Sequence, residues 1–180
     1  MSDNFKFLGN HNVDSLLSKV LTLSDEDWDV FTFRQDTYEV HNQTKTIPIL
    51  IDENYSGQMG RKTPFYGMFE DEVKNLNDSI GGQLLNGEII RLEIVKLPPN
   101  SSVSLHKDRT SSLLFNNRIH IPLQTHPDCV FQVGDEIMHM RVGEIWEIDN
   151  GNKMHGVFNE SDIERIHVIL DWRNKPTSLF

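Results

Sequence analysis

Arg165-Ile166-His167-Val168-Ile169-Leu170-Asp171-Trp172 is the stretch from which the fold can be read. Side chains alternate across an extended strand, so Arg165 and His167 share one face and Ile166, Val168 and Leu170 the other. Arg118-Ile119-His120-Ile121-Pro122-Leu123 repeats the pattern, with Arg118 and His120 opposed to Ile119, Ile121 and Leu123. The aliphatic faces can pack against a second sheet or flanking helices. The Arg/His faces are either solvated or line a pocket that holds something anionic.

Working outward, residues 88–172 break into short β-rich runs separated by Pro, Gly, Asn and Asp. The predicted strands are Glu88–Leu97, Ser102–Lys107, Arg118–Gln124, Val130–Val133, Ile137–Arg141, Glu144–Ile148, Gly156–Asn159 and Arg165–Trp172. Gly134 and Gly143 mark tight turns. Eight strands without intervening helices point to a sandwich or jelly roll. Before residue 88, helical spacing predicts a helix over 13–23, started by Asp14 or Ser15, and another over 65–80 with Phe65, Phe69, Val73, Leu76 and Ile80 in one stripe, ended by Gly81-Gly82. Val30–Arg34 and Ile47–Ile51 read as strands. The expected organisation is one domain over 1–180: helices and strands of 1–87 packed on a jelly-roll core of 88–172, mostly β with flanking helices.

The 180 residues suffice for one substantial core. A formal net charge of -10 without a Lys/Arg cluster argues against nucleic acid as a partner. No apolar run approaches a membrane span, and Met1–Lys6 does not read as a signal peptide. The single cysteine, Cys129, fits a reducing, cytoplasmic setting.

His106-Lys107-Asp108 puts an imidazole and a carboxylate on the same side of a strand end. An H-x-D pair alone is weak evidence. Followed by His155, and by Arg165 ten residues later, it is far more selective. Two imidazoles and one carboxylate can hold one face of Fe(II) and leave positions open for substrate and O2, and an arginine can grip a small dicarboxylate through a forked ion pair.

Arg118–Thr125, Gly143-Glu144-Ile145-Trp146, Asp149-Asn150, His155, Asn159 and Arg165–Trp172, in that order, resemble the aspartyl/asparaginyl β-hydroxylase family. These are Fe(II)- and 2-oxoglutarate-dependent oxygenases with a double-stranded β-helix (jelly-roll, cupin-like) core. The similarity covers roughly residues 88–172; before it, only a loose pattern of Arg34, His41 and Thr44 fits. The resemblance implies iron at His106, Asp108 and His155, the distal carboxylate of 2-oxoglutarate at Arg165, and further co-substrate contacts at Arg118 and His120. It implies a dioxygenase that hydroxylates an aspartyl or asparaginyl residue in a peptide, or a free amino acid such as proline. Two other readings compete: a metal-dependent cupin-type enzyme without 2-oxoglutarate, and a non-catalytic jelly-roll binding module.

Trp146 reads as core, Asn150 and Asn159 as turn-fixing, and His126 and His139 as surface residues. Met154 reads as a gap-filling methionine, or as a neighbour of the oxidising centre through its place beside His155. His167 shares the face of Arg165, either to support the co-substrate or to fill the sheet interior. Arg34, Arg61 and Arg91 are candidate partners for a substrate carboxylate, or structural arginines.

Overall fold

A computed structural model describes residues 4–175 except 53–55, 58–59, 85 and 109–115. Two antiparallel sheets face each other. The large sheet contains β1 (Phe5–Asn10), β2 (Lys45–Ile51), β3 (Arg61–Lys62), β4 (Gly87–Leu97), β6 (Asn117–Gln124), β9 (Glu144–Ile148) and β11 (Arg165–Asn174), in the order β1-β9-β6-β11-β4-β2-β3. The small sheet contains β5 (Ser101–His106), β7 (Cys129–Val133), β8 (Glu136–Met138) and β10 (His155–Asn159), in the order β5-β10-β7-β8. This is the mostly β jelly roll expected. All eight strands predicted after residue 88 are present, the Ile137–Arg141 run being displaced to Glu136–Met138. Gly134 and Gly143 turn with φ of +61° and +78°. A side chain at Gly143 would also meet the His11 carbonyl oxygen, at 2.7 Å from its Cβ.

The outer face of the large sheet makes the main core. Ile166, Val168, Leu170 and Trp172 of β11, Ile119 and Ile121 of β6, and Leu92 and Ile94 of β4 pack there with α1 (Asp14–Val20) and α4 (Tyr66–Gly81). The stripe predicted for α4 is buried through Phe69, Val73, Leu76 and Ile80, and Gly82 caps the helix. Asp14 is the first residue of α1 and the acid of its first turn. Asn12 Oδ1 accepts from the Asp14 backbone N–H, while the Ser15 hydroxyl donates to Glu72.

Two corrections concern the first half of the chain. Val30–Arg34 is not a strand: α2 (Asp25–Trp28) ends there and α3 (Phe33–Thr37) begins. Its aromatic and β-branched residues have high β propensity, but Val30 closes α2 through Asp27 and no strand among the described residues pairs with the segment, so tertiary context overrides local preference. A short 3-10 helix, Glu39–His41, follows α3. The strands β1, β2 and β3 also join the large sheet directly, so the first half extends that sheet besides covering it.

Candidate metal and keto-acid site

The inner face of the large sheet is polar yet buried. Arg165, His167 and Asp171 of β11, Arg118 and His120 of β6, and Arg91 and Glu93 of β4 are all under 9% exposed. Their aliphatic strand neighbours are on the other side, so β alternation sends these groups into the space between the sheets.

The small sheet brings His106 and His155 together as direct cross-strand partners of β5 and β10. Their ring centroids are 4.3 Å apart. Asp108, two residues past His106, reaches the same point: its carboxylate is 4.0 Å from His106 Nε2 and 3.8 Å from His155 Nε2. One ligand atom from each residue lies within 4.8 Å of the others. His106 Nδ1 is 2.8 Å from the Ser104 carbonyl oxygen. A proton on Nδ1 then donates to that carbonyl and leaves Nε2 as a lone-pair ligand, the arrangement typical of metal-binding imidazoles.

Asp108 is held from two sides. Arg118 Nη1 donates to its Oδ2 at 2.9 Å and Asn150 Nδ2 to the same oxygen at 2.8 Å. Burial by itself would raise the Asp108 carboxyl. The Arg118 charge, with His155 and the Asn150 hydrogen bond, outweighs it and holds the group well below the usual carboxylate range. Burial pulls His155 down to about 4 despite Asp108, so its imidazole is neutral at pH 7. Two imidazoles and one carboxylate of fixed charge are a suitable donor set for Fe(II).

Arg118 also makes a forked pair with Asp171, Nε to Oδ1 at 2.9 Å and Nη2 to Oδ2 at 3.1 Å. Three of its five N–H groups thus meet carboxylates, leaving two for a ligand. His120 lies in the same cavity, and both its ring nitrogens are buried without a hydrogen-bond partner. Burial, then the charge of Arg165, pushes its pKa well down.

Arg165 closes the far end. It is 4% exposed, its Nη2 is 2.7 Å from His167 Nδ1, and its guanidinium carbon is 5.9 Å from the Phe131 ring centroid. None of the ion pairs among the described residues includes it. Burial brings its pKa down to about 10. A buried cation without an anionic partner is costly, and a ligand carboxylate would relieve that cost. Arg165, His120, Arg118, His106 and His155 line one cavity of ≈ 460 Å³, its open mouth included. The orphaned His120 nitrogens and the unpaired Arg165 guanidinium fit a keto dicarboxylate laid between the metal ligands and β11.

The loose early pattern reaches the same place. Arg34 Nη2 lies 3.2 Å from His41 Nε2, the Thr44 hydroxyl donates to the His41 carbonyl, and the His41 ring is 5.2 Å from that of His106. Burial, then the Arg34 charge, lowers His41 to about 2. Arg34 and Arg91 both pair with Glu93, while Arg61 is exposed on the edge strand β3. Asn159 fixes the turn after β10 through the carbonyls of Pro98 and Ile163. Asn150 does more than fix a turn, since it bonds Asp108. His139, half-buried, has its Nδ1 3.1 Å from the Cys129 carbonyl oxygen, and His126 is half-buried beside Asp128. Trp146 is half-buried, against Phe7 and the second core cluster.

Asp171 and Glu93 were not among the predicted site residues. Both stand at inward-facing positions of strands that were predicted. Carrying the Arg165/His167 alternation two steps further marks Asp171.

A sequence model described as Aspartyl/Asparaginyl beta-hydroxylase matches residues 10–175. An L-proline cis-4-hydroxylase of Rhizobium meliloti (strain 1021) is 30% identical over 79 residues, which are 44% of this chain and 28% of that protein. The match thus spans under a third of that relative. Among solved structures, an oxidoreductase of the 2OG-Fe(II) oxygenase family from Burkholderia pseudomallei superposes with a TM-score of 0.60 at 14% identity, covering 87% of this chain and 77% of that one. A Pseudomonas putida prolyl-4-hydroxylase superposes with a TM-score of 0.57 at 13% identity, covering 95% and 93%. At such identities the superpositions speak for a common fold. The family match, which runs from before α1 to the end of β11, carries the assignment: this chain belongs to the aspartyl/asparaginyl β-hydroxylase family of Fe(II)- and 2-oxoglutarate-dependent oxygenases.

Proposed function

We propose that this protein is a 2-oxoglutarate-dependent hydroxylase whose iron is held by His106, Asp108 and His155 and whose keto acid is anchored by Arg165. Its substrate is an amino acid, free or within a short peptide segment. One juxtaposition supports this reading above others: a buried arginine without a carboxylate partner shares a cavity with both histidines of a His/Asp/His cluster. A cupin-type enzyme without a keto acid, or a non-catalytic binding module, would not require that arginine beside a metal-ligand set. When bound, Fe(II) with 2-oxoglutarate and O2 supplies the oxidising power to replace a C–H hydrogen by hydroxyl, with succinate and CO2 as the co-products.

The chain's own residues set the conditions for that chemistry. Arg165 takes the distal carboxylate as a fork and fixes the keto acid's direction. The remaining N–H groups of Arg118, with His120, face the carboxylate nearer the metal. Ser104 and Asn150 orient His106 and Asp108 so that the ligand face is set before metal arrives. Phe131, Val157 and Ile169 give the cavity apolar walls that limit water. Charge also balances: the ion and Asp108 together carry one positive charge, Arg165 a second, and the keto acid two negative ones. Cys129 is a free, buried thiol, which fits a reducing compartment such as the cytoplasm, and no helix among the described residues is long and apolar enough to cross a membrane.

Anaerobic addition of Fe(II) and 2-oxoglutarate tests the reading. A weak visible charge-transfer band is expected, absent in His106→Ala. A wild-type protein that gives no band, and no 2-oxoglutarate-dependent O2 uptake, would remove the hydroxylase assignment.

A further inference from the structure

Among the described residues the buried arginines are Arg91, Arg118 and Arg165. Carboxylates orient the first two. Asp171 takes the fork of Arg118, and Glu93 is 2.6 Å from Arg91. Each such pair fixes its guanidinium and cancels its charge at the same time. Arg165 is oriented by a different kind of group. Its Nη2 is 2.7 Å from Nδ1 of His167, which stands two residues along on the same face of β11.

Burial, then the Arg165 charge, keeps the His167 ring neutral. A guanidinium only donates, so Nδ1 accepts and the ring's single proton is on Nε2. That nitrogen is buried without a hydrogen-bond partner. The contact to Arg165 is therefore the one hydrogen bond this imidazole makes among the described residues, although the ring is 2% exposed. The backbone helps to set the contact. The β11–β6 ladder shifts register between Ile166 and His167, where Pro122 stands opposite. Proline has no N–H to give the ladder, and shifts of this kind re-aim the side chains beside them.

We propose that His167 is the positioning residue of the keto-acid anchor: it aims the Arg165 fork into the cavity, leaves its charge uncancelled, and so sets the length of keto dicarboxylate that the site accepts. A carboxylate at this place would aim the fork equally well but would take up the charge that the ligand needs. An apolar ring would leave the charge and lose the aim. A neutral acceptor keeps both. Length selection follows from two fixed ends, the His106/Asp108/His155 cluster at one and the aimed fork at the other, since an added methylene must displace one of them. The inference rests on the reading of Arg165 as the keto-acid anchor.

Two measurements on the full chain test it. In the ligand-free protein, NMR of the ring nitrogens should show His167 protonated on Nε2 alone, its signals being those lost in His167→Asn. The anaerobic Fe(II) band then reads the binding of 2-oxoglutarate and of 2-oxoadipate, which is one methylene longer. His167→Asn, whose side-chain oxygen can replace Nδ1, should bind 2-oxoglutarate within about threefold of wild type, because aim and charge are both kept. Its isostere His167→Asp should bind it about 100-fold more weakly, with a melting temperature held or raised, because Arg165 then has an internal ion-pair partner. His167→Phe should lose about tenfold of the preference for 2-oxoglutarate over 2-oxoadipate. A residue that only filled the sheet interior would not separate Asn from Asp in this way. Equal binding by Asn and Asp, an unchanged preference in His167→Phe, or a proton on Nδ1 would overturn the proposal; should His167→Phe fail to fold, the Asn and Asp variants decide. A wild type without the band would count against the hydroxylase reading instead, and the nitrogen NMR would still decide whether His167 accepts from Arg165.

Discussion

The two faces of β11 are buried alike and do opposite work. On the outer face Ile166, Val168, Leu170 and Trp172 are 0–2% exposed; on the inner face Arg165, His167 and Asp171 are 1–4% exposed. The outer face gains from leaving water, at roughly 25 cal/mol per Å² of apolar surface. The inner face loses by it, because charged and polar groups are costly to bury unless paired. Asp171 is compensated by Arg118 and Arg91. Arg165 has only the neutral His167 and the Phe131 ring, so the deficit is concentrated where the keto acid is proposed to bind. One strand thus separates stability from binding by side-chain parity, and substitution on either face should move one property without the other.

The largest effect is expected from Arg165→Met. Losing one partner of a buried ion pair costs about 3–5 kcal/mol, so the 2-oxoglutarate KM should rise by roughly two to nearly four orders of magnitude. The melting temperature of the ligand-free protein should hold or rise, since an uncompensated buried charge has gone. Steady-state kinetics and thermal unfolding by circular dichroism measure the two halves. A KM within tenfold of wild type would mean that the anchor is elsewhere.

Leu170→Ala is the complementary change on the outer face. A buried Leu→Ala cavity costs about 2–5 kcal/mol, which for a chain of this size lowers the melting temperature by roughly 5–15 °C. The keto-acid KM should stay within about twofold. A KM that follows the loss of stability would show that the two faces are mechanically coupled.

The same parity explains what could be read from the sequence. Arg165/His167 and Arg118/His120 alternate with aliphatic residues, and that contrast placed both strands and both inward faces. His106 and Asp108 could be grouped because their spacing is local. The pairing of His155 with His106 is a tertiary register, which no local pattern encodes; it was reachable only through the order of motifs along the chain. Asp171 and Glu93 went unassigned although both lie inside predicted strands, because a lone acidic residue in an aliphatic run carries no signal of the arginine it will pair with across the sheet. Phe33 and Val30 misled in the other direction. They have high β propensity but are 66% and 59% exposed, beside a helix that no sheet partner contests. Edge strand β1 escaped notice because a bulge between Phe7 and Gly9 breaks its alternation, leaving Phe5 and Leu8 as its buried pair.

The smallest effect separates the faces by pH. His120 and His167 are buried beside Arg165, and burial first, then that charge, keeps both pKa values well below 6.5. In the unfolded chain the same imidazoles take up protons near 6.5. Below that pH the unfolded state binds more protons than the folded one, so unfolding free energy rises with pH there. Stability from these two groups is fully present above about pH 6.5 and is lost as acid is added, by up to about 1.4 kcal/mol per pH unit for each histidine. Urea denaturation of the metal-free protein at pH 7.5, 6.5 and 5.5 should record that slope. His120→Phe should reduce it by up to one histidine's share, whereas Leu170→Ala should lower the whole curve and leave the slope as it was. An outer-face substitution that flattened the acid slope would show that the charge deficit is not confined to the inner face, and with it the division of labour across β11 would fail.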